Sequence, residues 1–148
     1  MNLVVTGPSA DGLASIVRSE VLAPLPAMAG SKNETRLCWA TSGFPYDRVE
    51  TLAPGTLMSP GAGETRFLFV TFAANSKSPM HATPTIDYVV VVAGELWLIM
   101  EDGQERRLVA GDSVVQRGTL HAWENRSAQP CTIAATMIGA GPKAPIVP

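Results

Sequence analysis

The chain has 148 residues, 46% of them hydrophobic, with a formal net charge of −2. That is enough apolar material for one self-sufficient core, and it excludes a disordered tail and a polybasic nucleic-acid surface. No apolar run approaches the roughly 20 residues of a membrane span, and Met1 to Gly7 lacks the basic region and long apolar core of a signal peptide. The two cysteines, Cys38 and Cys131, read as free thiols of a cytoplasmic protein rather than as a disulfide.

The chain carries 13 glycines and 12 prolines, spread along its length, so it is broken into short pieces with no heptads and no repeats. Short pieces joined by Gly-containing turns predict an all-β protein with almost no helix. Leu3 to Thr6 reads as a strand, Gly7 to Gly12 as a turn and Ala14 to Val21 as a second strand. Pro24 to Gly30 is a loop and Thr35 to Thr41 a third strand. Phe44 to Gly63 is rich in turn residues and reads as a long loop with at most one helical turn.

The pattern sharpens from there. Thr65 to Phe72, with Phe67, Phe69, Val70 and Phe72, is a core strand. Asn75 to Pro79 is polar and turn-like. Ile86 to Val92 reads as a buried strand ending at Ala93-Gly94, and Glu95 to Glu101 follows. Asp102-Gly103 signals a type I′ hairpin, with Glu105 to Val109 returning. Ser113 to Gln116, Leu120 to Trp123 and Cys131 to Ile138 complete the set. The core barrel is expected over about 65–138, with N-terminal strands and loops over 1–64 and a Pro/Gly-rich arm over 139–148.

The chain has only two histidines, His81 and His121, and each opens or closes a polar stretch on an apolar background. Asp87 leads directly into Tyr88-Val89-Val90-Val91-Val92. A carboxylate buried there needs a cation, hydrogen-bond donors or a proton of its own. Histidine supplies either of the first two, as metal ligand or as acid–base group. By strand alternation Tyr88 points away from Asp87, and Trp123 shares a face with His121.

These segments resemble the two cupin motifs. The first, His-x-His followed by Glu and Gly, is matched by His81-Ala82-Thr83, Asp87 and Gly94. The second is matched by Gly111-Asp112 and by Gln116, Gly118, His121 and Asn125. The resemblance implies a jelly-roll barrel, the double-stranded β-helix, with the N-terminal strands extending its sheet. It also implies one divalent metal ion (Fe, Mn, Zn or Ni) on His81, Asp87 and His121, and a homodimer. Proteins with this His-x-Thr…Asp-Tyr variant are associated with aromatic or polyketide substrates.

The departures carry equal weight. Thr83 stands where the family has its second histidine, Asp87 where it has glutamate and Gln116 where it has proline. An aspartate carboxylate sits about 1.5 Å further back than a glutamate's, whereas ligand bonds tolerate only tenths of an ångström. Two catalytic readings follow, both resting on His81, Asp87 and His121: a mononuclear metal-dependent oxidoreductase or lyase, and a metal-free lyase, isomerase or dehydratase. A non-catalytic binder of small ligands is the third. Thr83, Trp123 and Gln116 are the expected substrate contacts. No nucleic-acid or membrane partner is expected.

Overall fold

The computed structural model describes residues 2–8, 10, 13–26, 30–41 and 59–140. Most of the loop expected over 44–63 and the arm beyond residue 140 lie outside those residues. Eleven strands and no helix occur among the described residues: β1 (Asn2–Pro8), β2 (Ala14–Val21), β3 (Glu34–Thr41), β4 (Thr65–Phe72), β5 (Ser76–Lys77), β6 (Thr85–Ala93), β7 (Glu95–Met100), β8 (Glu105–Val109), β9 (Ser113–Gln116), β10 (His121–Asn125) and β11 (Cys131–Gly139).

Two antiparallel sheets enclose the core. One runs β5-β10-β7-β8 and the other β3-β4-β11-β6-β9. Of the N-terminal strands, β3 extends the five-stranded sheet, whereas β1 and β2 pair only with each other. Between the sheets pack Leu68, Phe72, Val89, Val91, Leu96, Leu108, Trp123, Cys131 and Ile133. Each large apolar side chain taken fully out of water contributes about 1.5–3 kcal/mol. Both cysteines are buried and free, and burial pushes the Cys131 thiol up to about 11.

Strand β6 alternates strictly. Thr85, Asp87, Val89 and Val91 are buried, while Ile86, Tyr88, Val90 and Val92 face outward. The continuous valine run therefore does not mark a strand covered on both sides, because an antiparallel sheet of a two-layer fold buries one face only. Tyr88 does point away from Asp87.

The β7–β8 connection also differs from its expected form. Gly103 has φ +82°, but Asp102 is not among the residues with positive φ, so the turn is not type I′. Met100 and Gln104 close a three-residue loop through the Met100 N–H to Gln104 carbonyl bond, with glycine in the left-handed position. Asp102 serves that loop instead, its Oδ1 accepting from the Gln104 N–H.

Candidate functional site

The two histidine segments meet as neighbouring strands. His81 lies on the link between β5 and β6, and its N–H and carbonyl exchange hydrogen bonds with those of His121 at 2.9 and 3.0 Å. The rings consequently sit with centroids 4.5 Å apart and planes tilted by 46°. Two further contacts fix this approach. Ser78 bonds the Trp123 backbone in both directions. Gly118, at φ +68°, lets the 116–119 turn come within 3.1 Å of the Thr83 carbonyl, measured to where a Cβ would stand.

Both imidazoles are held alike. His81 Nδ1 lies 2.9 Å from the Pro79 carbonyl and His121 Nδ1 lies 2.9 Å from the Thr119 carbonyl. A carbonyl only accepts, so each Nδ1 carries the proton, and in the neutral ring Nε2 is a bare lone pair. His121 is buried, and this desolvation holds its pKa below the usual histidine value; the nearby His81 acts in the same sense, against the Thr119 carbonyl and Asp87.

Asp87 comes from the opposite sheet. It is 8% exposed, and its Oδ1 is the one buried side-chain polar atom without a hydrogen-bond partner among the described residues. Burial pushes its carboxyl above the usual range, opposed by the Thr85 hydroxyl and by both imidazoles. The three groups named from the sequence thus share one electrostatic neighbourhood.

The expected substrate contacts surround them. Gln116 stands opposite Asp87 in the β6–β9 register. Its Oε1 accepts from the Arg117 N–H and the Thr119 hydroxyl, which stiffens the turn leading to His121. Thr83 accepts from the Thr85 hydroxyl at 2.8 Å. Trp123 meets the His121 ring edge-on at 5.6 Å and is also a member of the core.

Sequence reading passed over Arg66 and Met137. The register places Arg66, Met137, Asp87 and Gln116 in one row across β4, β11, β6 and β9. Arg66 is buried, its guanidinium held by Glu64 and by the Thr41 and Thr65 carbonyls. An arginine at an inward position of a core strand was the available signal.

Two imidazole nitrogens and a carboxylate are suitable donors for a divalent cation. Their placement does not close a cage: among the described residues no three His, Cys, Asp or Glu side chains gather closely enough to hold an ion.

Residues 68–138 match the Cupin_2 family, the cupin domain. The chain is 35% identical over 138 residues to phomopsin biosynthesis cluster protein D of Diaporthe leptostromiformis, covering 85% of this chain and 71% of that protein. It belongs to the cupin superfamily. A 56-residue stretch is 43% identical to the cupin-domain-containing oxidoreductase virC of Hypocrea virens, covering 38% of this cupin and 29% of that one. The crystal structure of a Cupin 2 conserved barrel domain protein from Salinispora arenicola superposes with a TM-score of 0.54 at 16% identity, covering 83% of this chain and 92% of that one. That last likeness concerns the barrel alone. Among the described residues no helix is long and apolar enough to cross a membrane.

Proposed function

We propose that this cupin is an enzyme that moves a proton on a small, enolisable aromatic or polyketide-like substrate, as a lyase, isomerase or dehydratase does. The observation that carries the reading is the pair of Nδ1-anchored imidazoles beside a buried carboxyl with an unpartnered oxygen. His121 is neutral at physiological pH, and its Nε2 takes the proton from the substrate carbon. Asp87, pushed toward its acid form, donates a hydrogen bond from the carboxyl to the oxygen on which charge develops. The same His121 Nε2 then returns the proton to the product, and His81, its Nδ1 held by the Pro79 carbonyl, stands beside it with Nε2 free to accept from a substrate hydroxyl. Trp123 offers a flat wall, while Thr83 and the Gln116 amide nitrogen orient polar substituents.

A second reading is favoured by the relative named as an oxidoreductase. Here His81, His121 and Asp87 would hold Fe, Mn, Zn or Ni, and the ion would polarise an oxygen-bearing substrate or bring O₂ to it. Closing that cage requires the side chains to move from where they stand.

The test is hydrogen–deuterium exchange of a panel of 1,3-dicarbonyl and hydroxyaromatic compounds, followed by NMR after exhaustive chelation. Exchange should persist without metal, fall at least about 100-fold in His121→Gln and rise through a pKa below 6.5. Loss on chelation with recovery on adding one metal selects the second reading. Tight binding of panel members without exchange under either condition makes the protein a ligand binder instead.

The same reading places the protein in the cytoplasm as a homodimer. Its two buried free thiols suit a reducing compartment.

A further inference from the structure

The side-chain amide of Gln116 has a fixed orientation. Its Oε1 accepts from the Arg117 N–H at 3.1 Å and from the Thr119 hydroxyl. A backbone N–H only donates, so the oxygen faces the turn, and Nε2 with its two donor protons is the opposite end. Gln116 is 3% exposed, and Nε2 donates to no group among the described residues. Yet it is not sealed in as Asp87 Oδ1 is. The inward position of Gln116 on β9 turns it toward the interior between the sheets.

A carboxyl stands directly across. Asp87 and Gln116 are partners in the β6–β9 register, which brings the Cβ atoms of opposed residues to about 4.5–5.5 Å. Asp87 Oδ1 nevertheless lacks a partner, so the amide is not there to satisfy the carboxyl. Two buried polar groups that lie side by side and are not spent on each other both serve a third. An amide nitrogen donates at every pH and never accepts. The group that completes Gln116 is therefore an acceptor oxygen.

The other side of the site is its complement. The Pro79 and Thr119 carbonyls hold the two Nδ1 atoms, which leaves acceptor lone pairs on Nε2 of His81 and of His121. Depth orders the groups: Gln116 and His121 are 3% and 2% exposed, whereas His81 is half-buried. Electrostatics agrees, since Asp87 feels the His121 ring more strongly than the His81 ring. From the interior outward the site presents a donor, a base and a second acceptor.

The geometry points to a β-hydroxy ketone as the substrate class, entering carbonyl first, with Gln116 Nε2 as the donor that holds the charge arising on the carbonyl oxygen. That assignment rests on the proton-transfer reading above and adds the order of substrate groups along the site. The acidic C–H lies between carbonyl and carbinol, at His121. Its proton passes to His121 Nε2, its electron pair forms the new C=C bond, and the C=O pair moves onto the oxygen at Gln116. The hydroxyl, one carbon further out, donates to His81 Nε2. Return of the proton from His121 to the same carbon restores the ketone. A fixed donor aimed at the developing charge acts most strongly in a site closed to water.

Hydrogen–deuterium exchange of 4-hydroxy-4-phenylbutan-2-one, followed by NMR on the full chain, tests this order. The methylene between carbonyl and carbinol should exchange at least about tenfold faster, relative to the methyl on the carbonyl's other side, than it does without protein. 4-Phenylbutan-2-one lacks the hydroxyl and should lose that preference, as should His81→Ala acting on the hydroxy ketone. Gln116→Met and Gln116→Glu both remove the donor. Methionine stays neutral and gives up the Oε1 contacts of the turn; glutamate keeps an acceptor for the turn and adds a charge. Each should lower kcat at least about 100-fold, with a much smaller change in KM, in chains that circular dichroism shows to be folded. Loss in the methionine variant alone would make Gln116 a turn residue, and loss in the glutamate variant alone would be charge repulsion. Either result overturns the assignment, as does wild-type exchange that is blind to the hydroxyl, a readout that needs no variant. In all three cases wild-type exchange persists and the proton-transfer reading stands. Absence of exchange in both ketones removes that reading and the assignment together.

Discussion

Asp87 and His121 impose opposite pH dependences on folding. Burial favours the acid form of Asp87, so the folded chain keeps that proton to a higher pH than the unfolded chain does. The associated stability is full below the ordinary value of 3.8 and falls as pH rises through the elevated folded value. His121 is depressed, so its contribution is full above 6.5 and is lost as pH falls toward the lower folded value. Asp87→Asn should therefore raise stability at pH 7, by about 1–3 kcal/mol, and flatten the rise on acidification. Thermal unfolding between pH 4 and 8 measures this; a variant less stable than wild type at pH 7 would show that the carboxylate has a favourable partner. His121→Gln should in turn remove the loss of stability just below pH 6.5. Both residues stood out in the sequence, one as one of only two histidines and the other as a charge at the head of a valine run. Their anchors did not, because the Pro79 and Thr119 carbonyls act through backbone that every residue has.

Turns separate two kinds of glycine. Gly94 has φ +83°, and a Cβ there would stand 2.7 Å from the Pro130 carbonyl oxygen and 2.8 Å from Cys131 Cα, both backbone atoms. Gly103 has nearly the same φ, +82°, with nothing within 4 Å. Gly103→Ala should cost only the left-handed strain, about 1–2 kcal/mol. Gly94→Ala adds a backbone clash that separates β6 from β11 and should cost at least about 3 kcal/mol. Urea unfolding of the two variants checks the difference; equal losses would mean that the close approach is relieved cheaply. Asn125 belongs to this scale too. Its Nδ2 donates to the Phe72, Ala73 and Gln129 carbonyls, and its Oδ1 accepts from the Ser127 N–H and hydroxyl. Asn125→Ala should cost about 3 kcal/mol through the buried carbonyls left unpaired. Most strand positions were legible from β-branched and aromatic runs bounded by Gly and Pro. The short strand β5 was not, because Ser76 and Lys77 pair only with Asn125 and Glu124 of β10, and two polar residues carry no periodicity.

The whole molecule joins a charged outer face on the four-stranded sheet to one on the five-stranded sheet whose β4, β11, β6 and β9 positions carry no charge, with the site at the strand ends between them. A chain that buries the uncharged face against a second copy should melt at a temperature that rises with protein concentration, because the folded state is then linked to association. Differential scanning calorimetry over a 100-fold concentration range reads this directly. A melting temperature independent of concentration, together with a monomeric mass, would remove the dimer. The Val90→Lys chain should melt lower than wild type and show no such dependence.

Composition and local pattern determined that the chain is all-β, and they singled out His81, Asp87 and His121. Those are properties of short windows, where alternation, turn residues and rare charges are visible in the string itself. Tertiary structure decided that His81 bridges His121, that one Asp87 oxygen is left without a partner, and that Arg66 and Met137 share its row. It also decided which half of the β6 valine run faces the core and which faces water. These depend on pairing between strands distant in sequence, where register sets each neighbour, and no single stretch of sequence carries that register.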